Sequence, residues 1–148
     1  MYQFKIIEHL SQDYWKSITL RHKILREPLN LYYSGAELDT EKDSFHIGLF
    51  DENNKIIGVL ILKPIHEQET EKELKMRQVA IDEDYQSKGF GKMLVDFAER
   101  LAKEKKYEII SLHSRQTAIA FYTKLDYTIE SETFKEIGIP HVKMKKKL

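Results

Sequence analysis

Apolar and polar residues alternate along this chain with two periods, which predict its helices and strands. Apolar residues recur at i, i+3, i+4 and i+7 over residues 90–102, the pattern of an amphipathic helix that packs on one face. A similar stripe follows Ser11, which can cap a helix, and Pro28 ends it. Further helices are predicted over residues 115–125 and, as a short helix or a loop, within residues 29–43.

Strands are predicted where β-branched and aromatic residues alternate with polar ones or form short apolar runs. The polar, turn-forming stretch 51–55 and the charged stretch 67–72 join three of these runs as two hairpins. A strand, a glycine-containing turn and a helix then lead into the next strand, and such a crossover makes strands four and five parallel. We expect that pair to splay at its ends. The predicted strands are 2–8, 44–50, 56–65, 74–81, 107–112, 127–134 and 139–144.

The composition limits the possible functions. Residues 1–148 fit one domain, and 24 basic and 24 acidic side chains cancel, so neither nucleic acid nor a membrane is an expected partner. The chain has no cysteine, which excludes disulfides, thiolate metal sites and cysteine nucleophiles. The six histidines lack the spacing of metal ligands, and no apolar run is long enough to span a bilayer. We therefore expect a cytoplasmic protein without a metal site.

A glycine-containing loop between the fourth predicted strand and the next helix is the main indication of function. Gly89 and Gly91 have no Cβ, so the chain can adopt a positive φ there and a ligand can approach the backbone closely. The helix that follows contributes unpaired amides and the positive end of its dipole, which favour an anion such as a pyrophosphate. Lys88 and Lys92 add positive charge. Two other kinds of phosphate-binding loop do not fit. The loop lacks the Gly-Lys-Ser/Thr ending of a Walker loop, and it follows the fourth predicted strand, whereas a dinucleotide-binding turn would follow the first.

Two motifs together resemble the GNAT superfamily of acyl-CoA-dependent N-acyltransferases. Gln86, Gly89 and Gly91 match its Gln/Arg-x-x-Gly-x-Gly/Ala pyrophosphate loop. Residues 121–127 match its aromatic-Tyr-x-Lys-Leu-Gly-Tyr/Phe motif, except that Asp126 replaces the glycine and must adopt a left-handed conformation. The resemblance implies an α/β fold with a mixed, mostly antiparallel sheet of six to seven strands, a splayed parallel pair and helices on both faces. Stretches similar to one branch, with mostly unassigned substrates, are 20–29, 112–115 and 134–141.

The resemblance also implies acetyl-CoA as the co-substrate and assigns roles to individual residues. Tyr122 matches the family's general acid, which protonates the departing thiolate, although its helical spacing alone favours a core aromatic residue. Three candidates for the general base, His113, Glu136 and His141, are taken from predicted strand ends that should border the acceptor cleft, and a histidine suits neutral pH better. Removal of the proton through water is the alternative. An Asn that reaches the cofactor in many members is absent, since residues 115–117 read Arg-Gln-Thr. The predicted cofactor-binding residues are Val79, Ala80, Ile81, Gln86, Ser87, Lys88, Gly89, Phe90, Gly91 and Lys92.

The predicted reaction is transfer of an acetyl group from acetyl-CoA to a primary amine by direct attack in a ternary complex. A small-molecule acceptor is preferred to a protein, because the sequence shows no charged groove. Arg21, Arg26 and Tyr33 are candidates to line the acceptor pocket, although ordinary solvated roles fit them equally well. Exposed strand edges permit a homodimer. Two alternatives stay open: a non-catalytic acyl-CoA-binding sensor that keeps the loop, and a structural interaction domain.

Overall fold

The strands of this chain join into one sheet. The computed structural model describes residues 1–66 and 72–148, so the predicted hairpin tip at 67–72 lies almost wholly outside the described residues. Within that part, the strands lie in the order β1-β2-β3-β4-β5-β8-β6, and β7 also pairs with β8. The strands are β1 (Gln3–Ile7), β2 (Phe45–Phe50), β3 (Ile56–Ile65), β4 (Glu73–Ile81), β5 (Ile109–Arg115), β6 (Thr128–Ile129), β7 (Phe134–Glu136) and β8 (Ile139–Lys147).

Helices connect and flank these strands. Ser11 caps the first helix as predicted, since its side-chain oxygen accepts a hydrogen bond from the Tyr14 amide at 3.2 Å. That helix ends earlier than predicted, and the chain continues as a π-helical turn over His22–Arg26 and a 3₁₀ turn over Glu27–Leu29. A short helix forms within residues 29–43, one of the two alternatives for that stretch. The α-helices of the described chain are α1 (Gln12–Arg21), α2 (Gly35–Asp39), α3 (Phe90–Glu104) and α4 (Ile119–Lys124).

The sheet is mixed and mostly antiparallel. β4 and β5 run parallel, from the pair Glu73 and Ile109 to the pair Met76 and Leu112. The other neighbouring strands of the described chain are antiparallel. The predicted fold class, with its parallel pair at strands four and five, is therefore confirmed.

The end of the chain differs from the prediction in detail. The run 127–134 was expected as one strand, but it contributes two short strands, β6 and β7, and the sheet reaches eight strands within the described residues. Between β6 and β7, the Ser131 hydroxyl accepts a hydrogen bond from the Lys143 amide at 2.8 Å, so a side-chain oxygen takes the place of a backbone carbonyl there. The predicted helix 115–125 also begins later, because Arg115 completes β5 and a 3₁₀ turn precedes α4. Asp126 is left-handed as expected, with φ of 72°.

The two faces of the sheet are covered differently. On one face α3 and α4 pack on all the central strands, and Leu94, Val95 and Ala98 of α3 are fully buried there. On the other face α1 packs on β1 to β4 with Tyr14 and Leu20. Side chains alternate along a strand, and the core side chains of β4 and β5 face α3. The polar residues between them therefore face the α1 side, beyond the cover of α1: Glu73, Lys75, Ser111 and His113.

Candidate active site

The parallel strands β4 and β5 separate after their last pair, Met76 and Leu112. Beyond that pair β4 stays hydrogen-bonded to β3, whereas β5 stays with β8, so a wedge opens between the two strands. β4 also carries a bulge, since Gln78 and Val79 lie opposite the single residue Leu60, and Gln78 has φ of 58°. The splay was predicted, but nothing in the sequence indicated the bulge. The wedge leaves backbone groups of β4 without a neighbouring strand on the β5 side.

A cavity of about 690 Å³, which we call the loop groove, lies between the end of β4, the loop before α3, and α4. Most of the predicted cofactor-binding residues line this groove, and Phe121 and Tyr122 of α4 form its opposite wall. Ile24, from the π-helical turn, and Thr117 and Ala118 also line the groove. The predicted residues in its lining are Val79, Ala80, Ile81, Gln86, Ser87, Gly89, Gly91 and Lys92.

The backbone of the loop has the features that an anion site needs. Ser87 and Gly89 both adopt left-handed conformations, with φ of 61° and 87°. The first hydrogen bond of α3 runs from the Met93 amide to the Gly89 carbonyl at 3.1 Å, so the amides of the preceding three residues have no acceptor within the helix. α3 has 15 residues, and its positive dipole end lies at this loop. Main-chain donors thus line the groove at its loop end.

The side chains of the loop are mostly occupied by contacts within the protein. Gln86 Nε2 donates to the Ile81 carbonyl at 2.9 Å, and Lys88 Nζ donates to the Asp84 carbonyl at 3.1 Å. The Lys92 ammonium pairs with Asp96 at 2.9 Å. The Phe90 ring packs into the core beside Tyr2 and Tyr85, with centroid distances of 4.8 and 5.7 Å. The loop therefore presents backbone more than side chains to the groove.

Gly91 has a packing role that the sequence did not reveal. It lies within α3, and a Cβ at this position would come within 3.2 Å of the Phe121 ring. The missing side chain therefore lets Phe121 approach the first turn of α3 and close the groove. Gly89 differs, because its Cβ would meet open space and its positive φ is what favours glycine.

Two adjoining cavities of about 210 and 330 Å³ lie on the other side of the wedge. We call them together the histidine cleft, because His113 lines both and His141 lines one. Val79, Ala118 and Tyr122 line both the cleft and the loop groove. The two openings therefore share one wall, with Tyr122 in it.

Tyr122 is nearly buried, and burial raises the pKa of its phenol to about 12. Among the residues that the structure describes, its hydroxyl has no hydrogen-bond partner. The phenol is therefore neutral throughout the physiological pH range, and its proton is available to a ligand.

The cleft contains a carboxylate between two imidazoles. His113 Nδ1 lies 2.9 Å from Glu136 Oε1, and His141 Nε2 lies 3.7 Å from Glu136 Oε2. His141 Nδ1 donates to the Ile139 carbonyl at 2.7 Å. Burial alone would raise the pKa of Glu136, but the hydrogen bond from His113 and the charges of the two histidines and Lys75 outweigh it and leave that pKa lowered. Glu136 is thus an ionised hydrogen-bond acceptor that orients His113.

The three residues considered for the acceptor pocket have different positions. Arg26 lines the cleft. The prediction that Arg21 lines it is wrong, because the Arg21 side chain is fully buried and donates hydrogen bonds to Glu41 at 2.6 and 2.9 Å. Tyr33 lies between the two guanidinium groups, with distances of 4.7 Å to Arg21 and 4.1 Å to Arg26. Its hydroxyl donates to the side chain of Gln78, the bulge residue. Tyr33 therefore connects the buried Arg21 and the partly buried Arg26 to the bulge in β4.

Comparisons with known proteins identify the family of this chain. Residues 7–127 match the model of the acetyltransferase (GNAT) family. The N-acetyltransferase YhdJ of Bacillus subtilis, itself uncharacterised, is 33% identical over 121 residues, which cover 76% of this chain and 83% of YhdJ. The uncharacterised protein YyaT of the same organism is 40% identical over 74 residues, and the match spans about half the length of each protein. The chain belongs to the GNAT acetyltransferase family, and the resemblance seen in its two motifs is confirmed.

Solved structures support the fold. An acyl-CoA N-acyltransferase from Pseudomonas aeruginosa superposes with a TM-score of 0.80 over 98% of this chain and 97% of that one, at 18% identity. Identity this low establishes the shared fold alone.

No helix within residues 1–66 and 72–148 is long and apolar enough to cross a membrane.

Proposed function

We propose that this protein transfers an acetyl group from acetyl-CoA to a primary amine by direct attack in a ternary complex. The observation that carries the proposal is the meeting of two openings at Tyr122: a groove with main-chain donors on one side, and a cleft with ionisable side chains on the other. A donor bound in the groove and an acceptor bound in the cleft can react there without a covalent enzyme intermediate.

The coenzyme occupies the loop groove in this proposal. Its pyrophosphate accepts hydrogen bonds from the amides that open α3, and its pantetheine arm follows the free edge of β4 at Val79–Ile81. A backbone amide near Val79 or Ala80 then polarises the thioester carbonyl as negative charge builds on its oxygen. These contacts depend on the splay of β4 from β5.

The chemical step forms an N–C bond and breaks the C–S bond of the thioester. The attacking nitrogen passes its extra proton to a base in the cleft, and the sulfur leaves as a thiolate. Tyr122 donates a hydrogen bond to that sulfur, and its high pKa favours thiolate stabilisation over complete proton transfer, since thiols have a reference pKa near 8.5.

Of the candidate bases, His113 fits best. Its Nδ1 donates to Glu136, which leaves the lone pair on Nε2 to accept a proton. His141 instead directs Nε2 towards the carboxylate and fixes Nδ1 on a backbone carbonyl, which suits a structural role. Glu136 acts on the reaction through His113, as a positioning residue. A small molecule suits a cleft of this volume better than a protein segment.

The test is a screen of amines with acetyl-CoA and detection of free thiol. We expect thiol release that requires an acceptor and is lost in Gly89→Glu, which places a carboxylate at the loop and strains a positive φ. In the same variant we expect the Kd of coenzyme A to rise more than about 30-fold, because like charges repel at the pyrophosphate site.

Gly138→Glu is the matched control, because Gly138 also has a positive φ and open space around it but lies at the β7–β8 turn. Its coenzyme A affinity should match that of the unaltered protein. Tight coenzyme binding without thiol release to any amine would instead support the sensor alternative, and absent coenzyme binding would support a structural interaction domain.

A further inference from the structure

The histidine cleft carries more positive charge than the neutral chain as a whole would suggest. The basic side chains in its lining are Arg26, Lys75, Arg77 and Arg115, from β4, β5 and the π-helical turn. Within the described residues, Glu136 is the carboxylate in that lining. The sequence did not indicate a charged groove, because these residues come from three separate segments of the chain and the total charge is zero.

Two of these cations, both arginines, have no carboxylate partner in the described chain. Arg26 is held by Glu37, with N–O distances of 2.7 and 3.2 Å. Lys75 Nζ lies 3.3 Å from His113 Nδ1, but that nitrogen donates its proton to Glu136 and accepts no bond from the ammonium. In residues 1–66 and 72–148, neither Arg77 nor Arg115 has a carboxylate within 4.0 Å. Each presents a planar fork of donors that matches a carboxylate or phosphate.

The surroundings of Lys75 report the same excess of positive charge. Burial lowers the pKa of its ammonium, and the charges of Arg77, Lys63 and Lys143 lower it further, against the opposing effect of Glu136. Glu136 is already bonded to His113. An anion that enters the cleft would therefore be attracted by a field that the protein itself does not fully compensate.

Arg77 and Arg115 also lie in the right places to hold one end of an acceptor. Arg77 precedes the bulge on β4, and Arg115 ends β5, so the two residues flank the wedge near Tyr122. Glu136 and His113 lie at the part of the cleft shared by both cavities. The cleft thus offers cations for an anionic group and a carboxylate–imidazole pair for an amine.

We infer that the acceptor is a small primary amine that also carries an anionic group, a carboxylate or a phosphate, bound by Arg77 and Arg115. This inference rests on the proposed acetyl transfer for its catalytic meaning. It goes further in naming the charge of the substrate, since a diamine of similar length would place a second cation among the arginines.

The test compares amines that differ in the charge of the remote group. The anionic acceptors are 4-aminobutanoate, whose uncharged analogue is n-butylamine, and O-phosphoethanolamine, whose uncharged analogue is ethanolamine. The diamine is 1,4-diaminobutane. We expect kcat/KM for the better of the two anionic amines to exceed that of its uncharged analogue by about tenfold or more, and that of the diamine by a larger factor, from charge-assisted hydrogen bonds. The carboxylate and phosphate arms show which anion fits.

Variants test the two arginines separately. Arg77→Gln and Arg115→Gln should each reduce the preference for the anionic amine to about threefold or less without changing coenzyme A affinity. Arg77→Lys should restore part of it, because the charge returns without the fork. Arg100→Gln on the exposed face of α3 removes the same charge elsewhere and should leave the preference intact.

Calorimetry with coenzyme A in place of acetyl-CoA also measures the Kd of each acceptor. The preference for an anionic amine can therefore be determined whether or not acetyl transfer occurs. Anionic amines that bind the loaded protein without being acetylated would refute the proposed function but support the anion site. Equal or tighter binding of butylamine or diaminobutane would overturn the inference, as would an unchanged preference in both arginine variants.

Discussion

The loop groove and the histidine cleft are built from different parts of the polypeptide. The groove presents mainly backbone amides, and its lysines and Gln86 are occupied by Asp84, Asp96 and Ile81. The cleft presents side chains from β4, β5, the π-helical turn and the β7–β8 region. Backbone donors persist whatever the side chains are, so they suit a ligand group that many proteins share. Side chains suit a partner that differs from one protein to the next.

The two regions are also held in place differently. The groove depends on the packing of α3, whose inner face is fully buried against the sheet. The wall of the cleft depends on polar contacts: Glu41 binds Arg21, Glu37 binds Arg26, and Tyr33 between them reaches the bulge. Changes in these polar contacts should therefore affect the cleft more than the loop end of the groove.

Glu41→Gln should give the largest effect in free energy. It leaves the Arg21 guanidinium buried without its counter-charge and weakens the bond from Tyr14, so we expect a loss of about 3 kcal/mol or more in the free energy of unfolding. Denaturant titration measures this. In the folded fraction the acceptor KM should rise while the Kd of coenzyme A stays unchanged, because Arg21 supports Tyr33 and not the loop.

The destabilisation caused by Glu41→Gln should also depend on pH. Burial alone would raise the pKa of Glu41, but the hydrogen bonds and charge of Arg21 outweigh it and hold that pKa below its ordinary 4.5. The stability contributed by Glu41 is therefore present above the pKa of the unfolded chain and is lost as pH falls through the lower, folded value. The difference between Glu41→Gln and the unaltered protein should shrink in that acid range.

Asp13→Asn is the comparison for ion pairs that are only partly buried. Asp13 contacts Lys5 and Lys16 at 3.4 and 3.7 Å near the surface, and its loss should cost less than about 1 kcal/mol. A cost as large as that of Glu41→Gln would show that burial is not what distinguishes the pair at Arg21.

His113→Gln should reduce kcat by about 100-fold at neutral pH, because general bases contribute rate factors of that order. The loss should diminish as pH rises and the free amine deprotonates without help, and coenzyme A affinity should not change. A pH profile of kcat with a fixed acceptor measures both effects. His22→Gln, outside the cleft and stacked on Tyr32, is the control. A uniform loss at every pH would remove His113 as the base.

The groove could be predicted from the sequence, and much of the cleft could not. The loop, α3 and the parallel crossover follow from local spacing, because each lies within one continuous stretch. The bulge at Gln78 has no local signal, since neither glycine nor proline is near it and the register with Leu60 imposes its positive φ. Long-range register is decided by the whole sheet.

Burial of charged residues was the other source of error. Arg21 resembles a solvated helix residue until Glu41, 20 positions later in a stretch without clear periodicity, meets it in the core. Likewise, Arg77 and Arg115 line one opening only because β4 and β5 are neighbours in the sheet and separate beyond Met76 and Leu112. Pairings at such separations depend on the tertiary fold, and no short pattern reports them.

Tyr122→Phe should give the smallest of the predicted effects on catalysis, and it tests the wall that both regions share. If the hydroxyl donates to the departing sulfur, kcat should fall about tenfold, from loss of one hydrogen bond to a charged group. The Kd of coenzyme A and the thermal stability should hardly change, because the hydroxyl has no partner in the described protein and the ring remains.

The pH profile sharpens the Tyr122 prediction. A phenol with a pKa of about 12 stays protonated at neutral and mildly alkaline pH. Any change of activity with pH in that range must therefore come from another group, and it should persist in Tyr122→Phe. Tyr107→Phe, beside Phe45 and remote from both openings, controls for loss of a hydroxyl elsewhere. Unchanged turnover in a folded Tyr122→Phe protein would make Tyr122 a core aromatic residue and leave the thiolate to be stabilised by the backbone or by water.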